Sequence, residues 1–297
     1  MPTPGVVEVD AHVLEDAAEA ARPVRCRVIE EDTLTLDIEG IGLYTLMWTP
    51  TMDCSVAHGY TPDAGLLGDI NESESLAIAA GFALSEGFIR QRSDLRSLSV
   101  CPEDHRVVRI QLQQPEKVQT NRRNVVINSS CGICGPRELL EHGDPGLRPI
   151  AARCLALRAE DIARLMKEMR ARQALFEQTG GCHAAAIFDR RGRIVAVAED
   201  LGRHNALDKA IGKVLLDRDE LSGCGVVLSS RLSTEMVLKC IRAGLEVMLA
   251  VSAPTSMAIE LARKYGITLC GFVRDNRATL YAHPERIRSD RRGAKSA

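Results

Sequence analysis

Several features that would indicate a membrane, secreted or nucleic-acid-binding protein are missing from this 297-residue chain. No apolar run is long enough to cross a bilayer, which argues against a membrane protein. The N-terminal residues are acidic and lack the charged and apolar segments of an export signal, so we expect a cytoplasmic protein. The formal net charge is −2 and no long basic run interrupts the middle of the chain, so no nucleic-acid partner is suggested. Aromatic residues make up only 3%, which predicts a mostly aliphatic core.

A second Cys-x-x-Cys pair is also missing beside the one formed by Cys131 and Cys134. A zinc site needs four ligands, usually two such pairs or one pair plus histidines, so we expect no structural metal. The Pro-Cys-x-x-Cys and His-x-Glu signature of the zinc deaminases is absent as well. The ten cysteines are spread over a long chain, which does not fit a disulfide framework. Most of the isolated cysteines in or beside aliphatic segments are expected to be buried apolar residues, namely Cys26, Cys154, Cys224, Cys240 and Cys270.

The strongest chemical signal is SSCGICGP, residues 129–136. A short predicted strand precedes it and a predicted helix opens at Pro136, so both thiols are expected on a strand-to-helix loop. A thiolate near a helix N-terminus is stabilised by the helix dipole, which lowers its pKa and makes it more reactive at neutral pH. Two chemistries then stay open: a dithiol oxidoreductase that cycles a Cys131–Cys134 disulfide, and a persulfide carrier with one nucleophilic thiolate.

The chain divides into four segments by composition. Residues 1–22 combine proline, glycine and acidic residues and predict a disordered tail, and residues 289–297 predict a second one. Residues 23–148 predict a smaller strand-rich region that carries the Cys-x-x-Cys loop. In residues 149–288 strands alternate with helices of about ten residues, which predicts an α/β cofactor-binding domain with a largely parallel sheet. The predicted fold class is therefore α/β, a sheet with flanking helices plus the strand-rich N-terminal region.

Local signals refine this outline in three places. Residues 49–72 are rich in turn formers and predict a long loop. A helix follows, with Ser73 or Ser75 as its cap and Gly87 at its end. Further along, apolar residues at helical spacing predict one helix over 160–178.

Three predicted helices begin with polar residues directly after a strand or loop, at residues 202–205, 229–234 and 252–256. A helix N-terminus offers unpaired N–H groups and partial positive charge, and ligands of open α/β sheets lie at the carboxyl ends of the strands. Helix capping alone would explain any one junction, whereas three together predict a site for a phosphate-bearing ligand. Nearby charged residues add to this prediction: Arg203, His204 and Arg231, with Arg274 and Arg277 on a hairpin between the last two strands. His183 is left open between a hydrogen-bonded core histidine and a catalytic one.

Seven stretches between Ser75 and Ile287 resemble the formate dehydrogenase accessory sulfurtransferase family, FdhD. They are SLAIAAGFALSEGFI, SSCGICG, GCHAAAIFD, AEDLGRHNALDKAIG, SSRLSTEMVLKC, AVSAPTSMAIELARKYGITLCGFVR and YAHPERI. The resemblance implies a protein that accepts sulfur as a persulfide from a cysteine desulfurase. It then passes the sulfur to the molybdenum or tungsten bis-molybdopterin guanine dinucleotide cofactor of formate dehydrogenase, which is bound as a substrate. The resemblance also implies a mixed sheet like that of the cytidine deaminases, and a homodimer.

By position, the resemblance implies that Cys131 carries the persulfide and that Cys134 is its partner. It implies cofactor-binding roles for two further sets of residues, namely Phe272, Val273, Arg274, Asp275, Asn276 and Arg277, and Arg203, His204, Ser230 and Arg231. The chain departs from the family pattern by about twenty extra residues near 52–70 and by ATLY at 278–281, where FNVY is commoner. A non-catalytic chaperone that shelters and delivers the cofactor is the alternative from a different class.

Overall fold

The computed structural model describes residues 3–16, 21–51, 59–67, 74–118, 147–150, 154–218, 221–275 and 277–288. Within these ranges the helices are α1 Glu74–Ser85, α2 Ala159–Ala171, α3 Ala174–Thr179, α4 Arg203–Arg218, α5 Thr234–Arg242 and α6 Ser256–Tyr265. The strands of the N-terminal half are β1 Val6–Val13, β2 Arg22–Ile29, β3 Asp32–Ile38, β4 Gly42–Trp48, β5 Gly59–Thr61, β6 Gly65–Leu67, β7 Leu95–Val100 and β8 Val107–Leu112. The remaining strands are β9 Leu157–Arg158, β10 His183–Phe188, β11 Ile194–Asp200, β12 Gly225–Leu228, β13 Val247–Ala250, β14 Thr268–Arg274, β15 Arg277–Ala282 and β16 Ile287–Arg288.

The first sheet has six strands in the order β4-β3-β8-β7-β5-β6. Its residues alternate as the sequence predicts: in β3, Leu34, Leu36 and Ile38 are buried, while Thr35 and Asp37 between them are half-buried. This period of two places one apolar face of the sheet against the interior. Helix α1 packs on that face, and all of its residues are buried.

The second sheet also has six strands, in the order β11-β10-β12-β13-β14-β15. Strands β12, β13 and β14 are parallel, and β10 runs antiparallel to both β11 and β12. Strand β11 therefore points the same way as β12, β13 and β14, and all four end at one edge. This edge is called the carboxyl edge below.

Helices cover both faces of the second sheet. Helices α4, α5 and α6 pack with α1 and the first sheet into one hydrophobic cluster, and α2 packs on the opposite face through Ile162, Leu165 and Met169. Helices α1 and α4 cross where Gly81 meets Gly212. A Cβ atom added at Gly81 would lie 1.8 Å from the carbonyl oxygen of Asp208, so only glycine allows this approach. The order of layers is thus first sheet, α1 with α4 to α6, second sheet, and α2.

Three of the predictions made from local signals are wrong. Strand β1 lies inside the predicted N-terminal tail of residues 1–22 and pairs with β2 over eight residues. The predicted loop over 49–72 contains the hairpin of β5 and β6. The helix predicted over 160–178 is two helices, because the N–H groups of Leu175 and Phe176 donate to the Glu199 carboxylate and a second helix begins there. In the last of these cases the deciding partner, Glu199, is distant in sequence.

The predicted fold class is confirmed: a mixed α/β fold with helices flanking a sheet and a strand-rich N-terminal region. Each large sheet lies on its own side of the predicted boundary at residues 148 and 149, while one hydrophobic cluster joins the two sides. The division into two regions stays a prediction, and residues 289–297 lie outside the described ranges. No helix in the described part of the chain is long and apolar enough to span a membrane.

Candidate functional site at the carboxyl edge

The three predicted junctions meet at the carboxyl edge. Residues 202–205, 229–234 and 252–256 follow strands β11, β12 and β13, each of which ends there. The last two junctions are joined directly, because the Leu232 N–H donates to the Ala253 carbonyl over 3.1 Å. Parallel strand direction is what brings these separate segments together.

Arg203 and His204, at the first turn of α4, face Glu235 in the first turn of α5. His204 Nε2 lies 2.9 Å from Glu235 Oε2, and a guanidinium nitrogen of Arg203 lies 4.0 Å from the same oxygen. Both basic side chains are mostly buried, with 23% and 13% of their surfaces exposed. Glu235 therefore holds the Arg203 guanidinium and the His204 imidazole side by side at the N-termini of two helices, where an anion is favoured.

Two buried polar atoms at this place have no hydrogen-bond partner among the described residues: Nε of Arg203 and Oγ of Ser233. Ser233 is the N-cap of α5, yet its side chain makes no capping bond. By contrast, Thr255 caps α6 with its side-chain oxygen, which accepts from the Ala258 N–H over 3.3 Å. Helix capping therefore accounts for the junction before α6 and leaves the Ser233 hydroxyl available. A buried donor without a partner is costly, so these two atoms mark a place where a ligand oxygen would be stabilised.

His183 opens β10 at the same edge and lies beside Ser229. Its Nδ1 is 3.4 Å from Ser229 Oγ, and that oxygen also accepts from the Ala184 N–H over 2.9 Å. Burial lowers the pKa of His183, and the positive charges of Arg203, His204 and Arg231 lower it further. His183 is thus a neutral imidazole close to the positive charges of Arg203, His204 and Arg231.

The hairpin between β14 and β15 borders this edge. Phe272 has a φ of 51°, unusual for a residue with a side chain, and 44% of its surface is exposed. Its N–H donates to the Ser252 carbonyl over 3.1 Å, which fixes the hairpin to the junction before α6. Arg274 is exposed and donates to the Val251 carbonyl over 2.7 Å. An exposed aromatic ring and an arginine fork therefore stand beside the junction before α6.

The remaining predicted residues are placed less uniformly. Ser230 is buried and donates to the Arg231 carbonyl over 3.2 Å, while the Arg231 side chain is exposed. Val273 is 2% exposed and packs in the core, so any ligand contact from it would come through its backbone. Asp275 pairs with Lys167 over 3.6 Å at the surface. Arg277 is exposed, and Asn276 lies outside the described residues.

Cys131 and Cys134 also lie outside the described residues, so their roles stay predictions. Among the five isolated cysteines, Cys224, Cys240 and Cys270 are buried as predicted, whereas Cys26 is half-buried and Cys154 is exposed. Burial raises the pKa of Cys270 to about 12, and burial near Asp208 raises that of Cys240. These two thiols are therefore poor nucleophiles at neutral pH.

Cys182 is a buried thiol close to the carboxyl edge. Its Sγ donates to Glu199 Oε1 over 3.2 Å. Burial raises its pKa, and the neighbouring carboxylate raises it further. In the part of the chain that the structure describes, no group of three or more histidines, cysteines and carboxylates could hold a metal ion.

Two acidic residues of the site, Glu235 and Asp200, are not among the residues predicted from the sequence. Glu235 sits in the stretch SSRLSTE, but only the packing of α5 against α4 shows that it pairs with His204. Asp200 ends β11 and is fully buried directly under the Gly202–Asn205 turn. An acidic residue inside an apolar strand was the available signal for Asp200. Glu235 has no comparable local signal.

The fold and the site together define an α/β protein with a basic edge suited to a phosphate-bearing ligand. The sequence signature of the FdhD/NarQ family matches residues 73–288, well over half of the chain. The chain therefore belongs to the FdhD/NarQ family, which confirms the family predicted from the sequence.

Individual relatives agree with this membership. The protein named "Sulfur carrier protein FdhD" of Thermoplasma acidophilum is 40% identical over 220 residues, covering 71% of this chain and 74% of its own length. The protein of the same name from Bordetella bronchiseptica is 38% identical over 288 residues, covering 95% of this chain and 93% of its own. The crystal structure of a proposed formate dehydrogenase accessory protein from Desulfotalea psychrophila has a TM-score of 0.71 at 23% identity, covering 96% of this chain and 100% of that one. The last likeness shows the fold alone.

Proposed function

We propose that this protein is a sulfur carrier that takes sulfur as a persulfide on Cys131 and transfers it to a molybdenum or tungsten bis-molybdopterin guanine dinucleotide cofactor. The cysteine desulfurase is the donor, and the cofactor is a bound substrate destined for formate dehydrogenase. The observation that carries the proposal is membership of the FdhD/NarQ family over residues 73–288, with relatives that bear the name sulfur carrier protein. We place this transfer in the cytoplasm and expect the carrier to act as a homodimer.

The sulfur half of the proposal rests on Cys131. Its thiolate attacks the terminal sulfur of the donor's persulfide, a new sulfur–sulfur bond forms on Cys131, and the donor cysteine leaves as a thiolate. In delivery the sulfur–sulfur bond on Cys131 breaks, the cofactor takes up the terminal sulfur as sulfide, and Cys131 returns to its thiolate. A reduced metal centre of the cofactor would supply the two electrons that this step requires. The buried thiols of Cys182, Cys240 and Cys270 have raised pKa values and are unsuited to this attack, which supports the assignment to the Cys-x-x-Cys loop.

The cofactor half is supported by the carboxyl edge. A guanine dinucleotide presents phosphates and a flat aromatic base. Two buried donors, Nε of Arg203 and the hydroxyl of Ser233, have no hydrogen-bond partner among the described residues, and both could donate to a phosphate oxygen. The exposed ring of Phe272 suits stacking against a base, and its unusual backbone conformation is a strain that a binding role would explain.

Intact-protein mass spectrometry tests the sulfur half. The protein is incubated with a cysteine desulfurase and cysteine, without reductant, as wild type and as Cys131→Ala, Cys134→Ala and Cys154→Ala. Cys154 is the matched control because it is an exposed cysteine elsewhere on the fold. We expect a mass gain of one sulfur atom in every protein except Cys131→Ala.

The same series separates the alternatives. A gain that persists in Cys131→Ala contradicts the assignment, and its absence in wild type favours a non-catalytic chaperone. If Cys134→Ala keeps full activity in activating formate dehydrogenase, a cycling dithiol is excluded. Cys131→Ala is expected to abolish that activation while it leaves the thermal unfolding curve unchanged.

A further inference from the structure

Asp200 is a fully buried carboxylate at the end of β11, and each of its two oxygens contacts a different half of the fold. Oδ1 accepts from the Gly202 N–H over 2.8 Å and from Asn205 Nδ2 over 3.0 Å. A Cβ atom on Gly202 would lie 3.4 Å from that same oxygen, so the turn that carries Arg203 and His204 wraps closely around it. The first oxygen therefore belongs to the carboxyl edge.

The second oxygen belongs to the first sheet. Oδ2 accepts from the Thr49 N–H over 3.0 Å, directly after β4 ends. Two more bonds run in parallel: the Leu201 N–H donates to Thr49 Oγ1 over 3.2 Å, and Asn205 Nδ2 donates to the Met47 carbonyl over 2.6 Å. The turn is thus tied to the end of β4 at three points, all of them buried or half-buried.

Lys209 forms a buried ion pair with this carboxylate. Its Nζ lies 2.9 Å from Asp200 Oδ2 and 3.2 Å from Glu74 Oε2, and it donates to the Thr49 carbonyl over 2.7 Å. Burial alone would lower the pKa of Lys209, but the charges of Asp200 and Glu74 raise it overall. The lysine is therefore charged, and it offsets the cost of burying Asp200 as an anion.

We infer that Asp200 is a positioning residue: it sets the placement of Arg203 and His204 for anion binding by fastening their turn to the end of β4 in the first sheet. This inference rests on the proposed cofactor-binding function of the carboxyl edge. A carboxylate suits the task because its two oxygens make four contacts at once. They accept from the N–H groups of Gly202 and Thr49 and from Asn205 Nδ2, and they pair with Lys209, which a neutral amide cannot do. Movement of the first sheet would then reach the anion site through Asp200 and the two hydrogen bonds beside it.

The test compares Asp200→Asn with Glu246→Gln in the full-length protein. Glu246 is an equally buried carboxylate in the same half of the chain: it accepts from the N–H groups of Cys154 and Leu155, pairs with Arg286, and lies outside the carboxyl edge. Both variants are expected to lose stability, because each removes a negative charge that faces a buried cation. Two properties separate them: the dissociation constant for GDP, measured by titration calorimetry, and amide hydrogen exchange at residues 201–205.

We expect Asp200→Asn to weaken GDP binding about tenfold or more and to speed exchange at residues 201–205, while Glu246→Gln changes neither beyond about twofold. If exchange at residues 201–205 responds equally in the two variants, Asp200 is merely structural and the inference is overturned. If Asp200→Asn does not fold, Thr49→Val removes one tie with little change of shape and is expected to speed the same exchange. Wild type that fails to bind GDP contradicts the proposed cofactor half, and hydrogen exchange still decides the positioning role.

Discussion

Replacing Gly81 by alanine tests the packing that holds the two sheets together. Gly81 of α1 and Gly212 of α4 lie where these helices cross, and their backbones are in direct contact. A Cβ atom on Gly81 would lie 1.8 Å from the Asp208 carbonyl oxygen, whereas ordinary contact begins at 3.4 Å. The helices would have to separate by about 1.6 Å locally, because neither backbone can escape by a rotamer change.

The expected loss follows from two opposing effects. Overpacking a well-packed core costs about 1–3 kcal/mol, and a backbone clash belongs at the upper end of that range. Alanine recovers about 1 kcal/mol because it favours the helix over glycine. The free energy of unfolding should therefore fall by about 2 kcal/mol, and Tm by about 4–8 °C.

Circular dichroism during thermal and urea unfolding measures this loss. Gly181→Ala is the control, because its added Cβ would meet side chains and no backbone, the nearest being Ile29 at 3.1 Å and Thr179 at 3.7 Å. We expect the control to stay within about 0.5 kcal/mol of wild type. A Gly81→Ala variant as stable as the control would refute the close crossing of α1 and α4.

Two further outcomes follow from buried charge. Lys209→Met should lower the free energy of unfolding by about 3–5 kcal/mol in urea, because it leaves buried carboxylates without this cation. The control Lys167→Met, at the exposed pair with Asp275, should lower it by no more than about 0.5 kcal/mol. Equal losses would show that the Lys209 network is not buried. His183 should titrate below 6.5 by NMR, and GDP should raise its pKa because phosphate opposes the nearby cations. Its folded pKa lies below the unfolded one, so its contribution to stability is present above about pH 6.5 and is lost as the pH falls below that value; His183→Gln should remove this part of the pH dependence.

Most helices and strands of the second sheet could be predicted from the sequence because their signals are local. Apolar runs and turn residues predict strands over 225–229 and 247–251 and helices over 233–243 and 255–265. The structure places β12, α5, β13 and α6 within a residue or two of these bounds. The break between α2 and α3 could not be predicted in this way. Its cause is the Glu199 carboxylate, which accepts from the N–H groups of Leu175 and Phe176 and supplies the cap that the local sequence lacks. Strand β1 is similar, since none of its residues is buried and its order depends on pairing with β2.

The features of the site can be divided in the same way into those with a local signal in the sequence and those set by contacts between distant residues. The three junctions at the carboxyl edge could be predicted together because parallel strands must end on one side, so the topology alone collects them. The orientation of the basic side chains at that edge could not be predicted. Arg203 and His204 are oriented by Glu235, about thirty residues further along the chain. They are also oriented by Asp200, through a turn tied to Thr49. Both carboxylates pair with basic side chains, Glu235 with Arg203 and His204 and Asp200 with Lys209. A search of the sequence for anion-binding residues looks for positive charge and passes over them, although it is their negative charge that holds the basic groups in place.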